Sequence, residues 1–145
     1  MKKFFLLLLI NLCVVSSNAQ ARDEVLDFSI QNALDLVAAK EKLGTDVAFF
    51  FGEQKHGKTE PNYVNVKTNK KTNAFNKTDE EACQWVFLSA MIALKERAVK
   101  EGYNAVVEIK SNYKNNLTSN EKTFQCGAGT FVAGVALTGK LVTIK

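Results

Sequence analysis

The chain has 145 residues, of which 23% are charged and 46% hydrophobic, and its formal net charge at pH 7 is +4. That length suits one domain with a substantial hydrophobic core. The charge excess is too small, and the lysines and arginines are too dispersed, for a protein that binds nucleic acid through a basic patch, so we expect no nucleic-acid partner.

The first 21 residues have the pattern of a secretory signal peptide. Lys2 and Lys3 form a short positive region, and residues 4–15 are apolar apart from one asparagine. Small residues follow and end in Ala19 and Ala21, which flank a glutamine as in an A-x-A cleavage site. This order of a basic, an apolar and a small-residue segment directs a chain to export.

Cleavage near Ala19 or Ala21 would leave residues 22–145 as a single domain with a net charge of +2, because the two signal lysines depart. We therefore predict a periplasmic or secreted protein with no transmembrane segment after cleavage, since no second long apolar run follows. Lipidation at Cys13 is the alternative, but a leucine precedes this cysteine where lipoprotein signals have a small residue.

Three short elements are predicted at the start of this domain. Residues 25–30 alternate between apolar and polar, which indicates a strand. Residues 31–43 carry apolar side chains at helical spacing and are followed by Gly44, which predicts one short amphipathic helix. Residues 46–51 are strongly apolar and aromatic, which predicts a buried strand.

The segment 53–77 is polar and consists mostly of Lys, Asn and Thr. We predict a long exposed loop here, a polar excursion from the domain, with a short β-like stretch inside it at residues 63–66. Its lysines Lys67, Lys70, Lys71 and Lys77 would offer a surface to an anionic envelope polymer, such as lipopolysaccharide phosphate or cell-wall carboxylates, or would simply be solvated. Binding through Lys70 and Lys71 would weaken with added salt.

A long helix is predicted over residues 79–101. Thr78 and the acidic residues that follow it form a capping box, and Gly102 provides the stop. Apolar side chains occupy so much of the circumference that this helix should be packed on more than one side.

The last third of the chain is rich in β-type sequence. Residues 103–113 alternate, and the residues predicted to share one face are Ala105, Val107, Ile109 and Ser111. A polar turn at 114–121 precedes two β-rich stretches, 123–129 and 130–144, whose glycines suggest bends in a curved edge region. The order of elements predicts an α+β fold, in which one long helix packs on a mostly antiparallel sheet.

Two cysteines remain in the exported domain, Cys83 and Cys126. An even number of cysteines outside the cytoplasm favours a disulfide, and two separate buried thiols are the alternative. Neither cysteine belongs to a C-x-x-C motif, and two thiols do not complete a zinc site.

His56 is the only histidine of the chain. A metal ligand or a general base is one interpretation, but lysines on both sides repel cations and no second histidine exists. We expect an exposed loop histidine, no metal site and no cofactor.

The layout of the second half resembles two related groups of proteins. The matching segments are the helix at 80–101, the Gly-Tyr-Asn-Ala-Val-Val step at 102–107 and the Cys-Gly-Ala-Gly-Thr stretch at 126–130. YbjQ-like proteins run a long helix into a similar strand, and RcsF, an outer-membrane lipoprotein that senses envelope stress, uses the same step with disulfides. The resemblance covers roughly residues 79–140 and implies a fold, from which function does not follow.

The whole exported domain is also similar to small secreted bacterial proteins often labelled "excinuclease ATPase subunit", through residues 51–56, 68–76 and 79–85. This chain has no G-x-x-x-x-G-K-[ST] phosphate loop and no paired zinc cysteines, and it carries an export signal. The similarity therefore does not imply ATP-dependent DNA repair.

No catalytic constellation is found in the sequence. The first functional hypothesis is a non-enzymatic exported accessory protein that binds an envelope protein or an anionic envelope polymer. The alternative is a small redox or metal-binding protein that uses Cys83, Cys126 or His56. A homo-oligomer is a third hypothesis, because strand edges in the final hairpin could pair between copies.

Overall fold

A computed structural model describes residues 22–145, so the predicted signal peptide lies outside the described residues. The elements are β1 Asp23–Ser29, α1 Ile30–Leu34, α2 Val37–Leu43, β2 Ala48–Phe51, β3 Thr59–Asn73, α3 Asp79–Glu101, β4 Ala105–Tyr113, β5 Asn116–Thr118, β6 Thr123–Gly129 and β7 Val132–Ile144. None of the helices in this part of the chain is long and apolar enough to cross a membrane.

The seven strands form one mixed, mostly antiparallel sheet with β7 at its centre. β3 pairs with β7 along one side, whereas β4 and β6 share the other side. β1 extends the sheet beyond β6, and β2 lies beyond β4 in the only parallel pairing among the described strands. The predicted α+β class, with a long helix on a mostly antiparallel sheet, is confirmed.

The helix α3 begins and ends as its sequence predicts. The Thr78 side chain accepts a hydrogen bond of 3.1 Å from the amide of Glu81, and Gly102 takes the left-handed conformation, at φ 80°, that ends the helix. The buried side of α3 contacts the sheet, where the Phe87 ring stacks on Phe124 at 4.1 Å between centroids. The helices α1 and α2 pack on it as well, so the prediction of packing on more than one side is confirmed.

A disulfide joins Cys83 at the start of α3 to Cys126 in β6, with 5.9 Å between the Cα atoms. Both residues are fully buried in the main core. The predicted pairing is therefore present, and it ties the long helix to the strand beneath it.

The single helix predicted over 31–43 is wrong, because the structure has two. Ser29 is the N-cap of α1 and Asp35 is its C-cap. Leu36 then adopts an extended conformation before α2 begins. The break lets each short helix bury its own apolar residues, and Gly44 ends the second helix as predicted.

The long loop predicted over 53–77 is also wrong across most of its length, although the β-like stretch predicted at 63–66 does lie in a strand. Thr59–Asn73 is a strand of 15 residues, paired with β7 in unbroken register from Tyr63 to Asn73. Lys and Asn have low strand propensity, but pairing with a buried apolar neighbour overrides that preference. Pro61 lies where the register shifts, a position at which its missing amide hydrogen is tolerated.

The last hairpin is the centre of the sheet and not its edge. β6 pairs with β1 along its whole length and with β7 at residues 127 and 128, and β7 pairs with β3 on one side and with β4 and β6 on the other, so most of the edge predicted to be free in this hairpin is paired. The polar turn predicted at 114–121 contains the short strand β5. Lys114 and Asn115, at φ 51° and 61°, form the tight turn from β4 into β5.

Candidate functional site

The candidate site lies on the side of the sheet that faces away from α3, which we call the outer face. In β3, Val64 and Val66 pack into the main core, so the alternate residues point outward. Because cross-strand partners share a face, Lys67 of β3 and its partner Thr138 of β7 both lie on the outer face. Lys140, two residues further along β7, lies there too.

A β-bulge in β4 gives the outer face its central carboxylate. Val107 pairs with Lys140 and Lys110 pairs with Thr138, so Glu108 and Ile109 together oppose the single residue between the β7 partners. That residue is Gly139, where an added Cβ would lie 3.0 Å from Val106 Cγ1 and 3.3 Å from the Val107 carbonyl oxygen. Glu108 adopts φ 51°, which is uncommon for a residue other than glycine.

The bulge also corrects the predicted alternation of β4. Val106 and Ile109 both belong to the main core, whereas Ala105 and Val107 form a small second cluster with Val142 on the other face. The prediction that Ala105, Val107, Ile109 and Ser111 share a face is therefore wrong. An extra residue in a strand exchanges inward and outward positions beyond it.

Glu108 lies among positively charged side chains. Its carboxylate is 2.8 Å from Lys140 Nζ, and this hydrogen bond holds the pKa of Glu108 below its usual value. The nearby charges of Lys110 and His56 lower the pKa further, and the same hydrogen bond raises the pKa of Lys140. The Lys140 ammonium also lies over the Tyr63 ring, 5.2 Å from its centroid.

Two clefts adjoin the Glu108–Lys140 pair on the outer face, with volumes of about 300 and 480 Å³. Their charged lining residues are Lys58, Lys67, Lys110, Lys140, Lys145, Glu60 and Glu108. The five lysines and two glutamates give this lining a formal net charge of +3, which is larger than the +2 of residues 22–145 as a whole. The positive charge of this domain is therefore concentrated on one face, which suits an anionic ligand.

The four lysines predicted as one surface do not lie together. Lys67 and Lys71 point from β3 onto the outer face, whereas Lys70 pairs with the core residue Val135 and projects on the opposite side. The Lys77 ammonium donates to the Asn73 carbonyl oxygen at 2.9 Å beyond the end of the strand.

His56 is exposed in the loop before β3, as expected. Its ring packs against Phe50 at 5.5 Å between centroids, and its Nδ1 lies 2.8 Å from the Gly57 carbonyl oxygen. In residues 22–145 no three His, Cys, Asp or Glu side chains converge as metal ligands would. Cys83 and Cys126, bonded and fully buried, offer neither a thiolate nucleophile nor a free metal ligand.

A third cleft, of about 350 Å³, lies at the other end of the outer face. Lys71 and Tyr113 line it above the paired residues Gly127 and Gly134. The Tyr113 ring occupies the space that a side chain at Gly127 would need, since a Cβ there would come within 2.0 Å of Tyr113 Oη. A wider depression of about 590 Å³ near Phe49 has charges of both signs and no cationic excess.

Sequence reasoning missed Glu108, Lys110 and Lys140. One sequence feature could have pointed to them: each is a charged residue within a strand whose other residues are mostly buried. The bulge that brings Glu108 beside Lys140 depends on pairing with β7, which local sequence does not encode.

No family model, curated protein or solved structure matches this chain.

Proposed function

We propose that the protein is a non-enzymatic, exported binding protein whose outer face holds an anionic polymer of the cell envelope. The observation that carries this proposal is the concentration of lysines around the two clefts beside Glu108 and Lys140. The signal-like segment at 1–21 supports export, and the disulfide suits an oxidising compartment.

Lysine side chains spaced along a sheet form a surface that suits spaced negative charges. Lys110 has only a weak partner, with 3.8 Å between its ammonium and the Glu53 carboxylate, so an incoming anion can compete for it. Lys67 points to solvent from β3. A polymer that contacts several such side chains gains affinity from each, and the gain falls with ionic strength.

The strand β3 offers a matched pair of variants to test this proposal. Lys67→Gln removes a charge from the outer face, and Lys70→Gln removes the same charge from the same strand on the opposite side. We expect Lys67→Gln to weaken binding of dextran sulfate about fivefold at low salt, because an ion pair at contact is worth about 1 kcal/mol in water. Lys70→Gln should bind like the unmodified protein.

Binding would be measured by isothermal titration calorimetry, with neutral dextran as the ligand control. Equal losses for both variants would indicate non-specific charge attraction and refute the outer face as the site. Lipopolysaccharide micelles and polygalacturonate would then separate the two sources of negative charge, lipid-linked phosphate and polymer carboxylate. If only an envelope protein binds and no polyanion does, the polymer proposal is wrong.

A further inference from the structure

The strand β3 carries a regular pattern of side chains along the whole outer face. From Tyr63 to Lys71 its outward residues are, in order, Tyr63, Asn65, Lys67, Asn69 and Lys71. Amide groups therefore alternate with ammonium groups, and an aromatic ring stands at one end. All five residues are exposed.

This row connects the three clefts of the outer face. Tyr63 lines the cleft of about 480 Å³, Asn65 and Lys67 line the cleft of about 300 Å³, and Lys71 lines the cleft of about 350 Å³ with Tyr113. Eight residues of extended strand separate its ends, a distance of roughly 26 Å at about 3.3 Å per residue. A second aromatic ring, that of Tyr113, thus stands near the far end.

We infer that β3 is a track for one extended chain of a linear anionic polysaccharide, which lies along the side chains from Tyr63 to Lys71. This inference rests on the proposed function and specifies its ligand. Amide side chains both donate and accept hydrogen bonds, as sugar hydroxyls require. Ammonium groups pair with carboxylate or sulfate groups along the polymer, and tyrosine rings give flat amphipathic surfaces at the ends.

The spacing of the charges argues against a compact anion. Lys67 and Lys71 are four residues apart on one strand, about 13 Å between their Cα atoms, so both side chains would have to lean toward each other to share one phosphate, whereas each can meet a separate charge of an extended chain without leaning. Lys110 and Lys140 line the same cleft as Glu108, whose carboxylate repels a dense cluster of negative charge. Both features favour a ligand whose charges are spread along its length.

The test is a chain-length series of oligogalacturonates titrated into residues 22–145 by calorimetry. We expect no measurable binding of the monomer, and a steep rise in affinity with length until the oligomer spans the track. Lys71→Gln, at the far end, should weaken the long oligomers about fivefold and leave the short ones unchanged. Lys70→Gln is the matched control and should behave like the parent at every length.

A neutral variant separates contact from charge. Asn69→Ala should weaken long oligomers without altering the salt dependence of binding, because no charge is lost. If a trimer binds as tightly as the longest oligomer, or if Lys71→Gln weakens all lengths equally, the track is wrong while an anion site on the outer face still stands. If neither oligogalacturonate nor dextran sulfate binds, the proposed function fails as well.

Discussion

Replacing Glu108 by glycine should make the protein more stable than replacing it by alanine, which reverses the usual order of these two residues. In strand and helix interiors glycine is less stable than alanine by roughly 0.5–1 kcal/mol, because it has more freedom to lose. Glu108, however, has φ 51°. A residue with a Cβ pays about 1–2 kcal/mol in that left-handed conformation.

The difference between the midpoints of these two ranges leaves Glu108→Gly more stable than Glu108→Ala by roughly 0.75 kcal/mol, or a few degrees in Tm for a domain of this size. Both variants lose the hydrogen bond to Lys140, so the contribution of that exposed ion pair cancels in the comparison. Urea unfolding followed by circular dichroism would give both free energies.

A glycine variant that is no more stable than the alanine variant would refute the bulge geometry, because the backbone at position 108 would then not be left-handed. Glu108→Gln provides a separate control for charge. This substitution keeps the side-chain volume and removes the carboxylate. The variant should bind dextran sulfate about fivefold more tightly, because the negative charge of Glu108 beside Lys140 no longer repels the polyanion.

Three further predictions address the fold and its pH dependence. Gly127→Ala should destabilise the protein by about 1–3 kcal/mol, since the new Cβ collides with Tyr113, and Tyr113→Ala in the same chain should recover part of that loss in a double-mutant cycle of urea unfolding. Replacing both Cys83 and Cys126 by alanine should lower the free energy of unfolding by about 4 kcal/mol, as expected from a sequence separation of 43 residues; a loss under about 1 kcal/mol would contradict the closed loop. The stabilisation from Glu108 is present above the unfolded pKa of 4.5 and is lost as pH falls through the lower folded pKa, so the stability difference between the parent and Glu108→Gln should vanish in acid and persist at neutral pH.

The sequence predicts those parts of the fold that local signals encode. The helix α3 has its cap, its stop and its apolar periodicity within one segment, and the structure reproduces all three. The disulfide is predicted because two cysteines remain in a domain whose sequence predicts export. The strand β3 could not be predicted in this way, because its Lys-Asn-Thr sequence resembles a loop and becomes a strand only through pairing with β7.

The candidate site depends on the same long-range pairing, which explains why only part of it was predicted. Composition points to Lys67, Lys70, Lys71 and Lys77 alike, but the separation of Lys67 and Lys71 from Lys70 requires the register of β3 on β7. Glu108 and Lys140 are 32 positions apart and meet only because a bulge forms opposite Gly139. The sequence shows where the charged residues lie along the chain, but only the strand pairing shows which face of the sheet each one occupies.

The outward asparagines of β3 distinguish a binding surface from simple protection of a strand edge. Lysines on an edge strand prevent pairing with other chains, and this alone would account for Lys67 and Lys71. Asparagine is depleted in strands, so Asn65, Asn69 and Asn73 need another reason. Asn73 has one, since its side-chain oxygen accepts a hydrogen bond from the Phe75 amide at 2.8 Å. Asn69 projects into solvent between Lys67 and Lys71, and Asn65 projects between Tyr63 and Lys67. At both positions the amide group could hydrogen-bond to the hydroxyl groups of a bound polysaccharide.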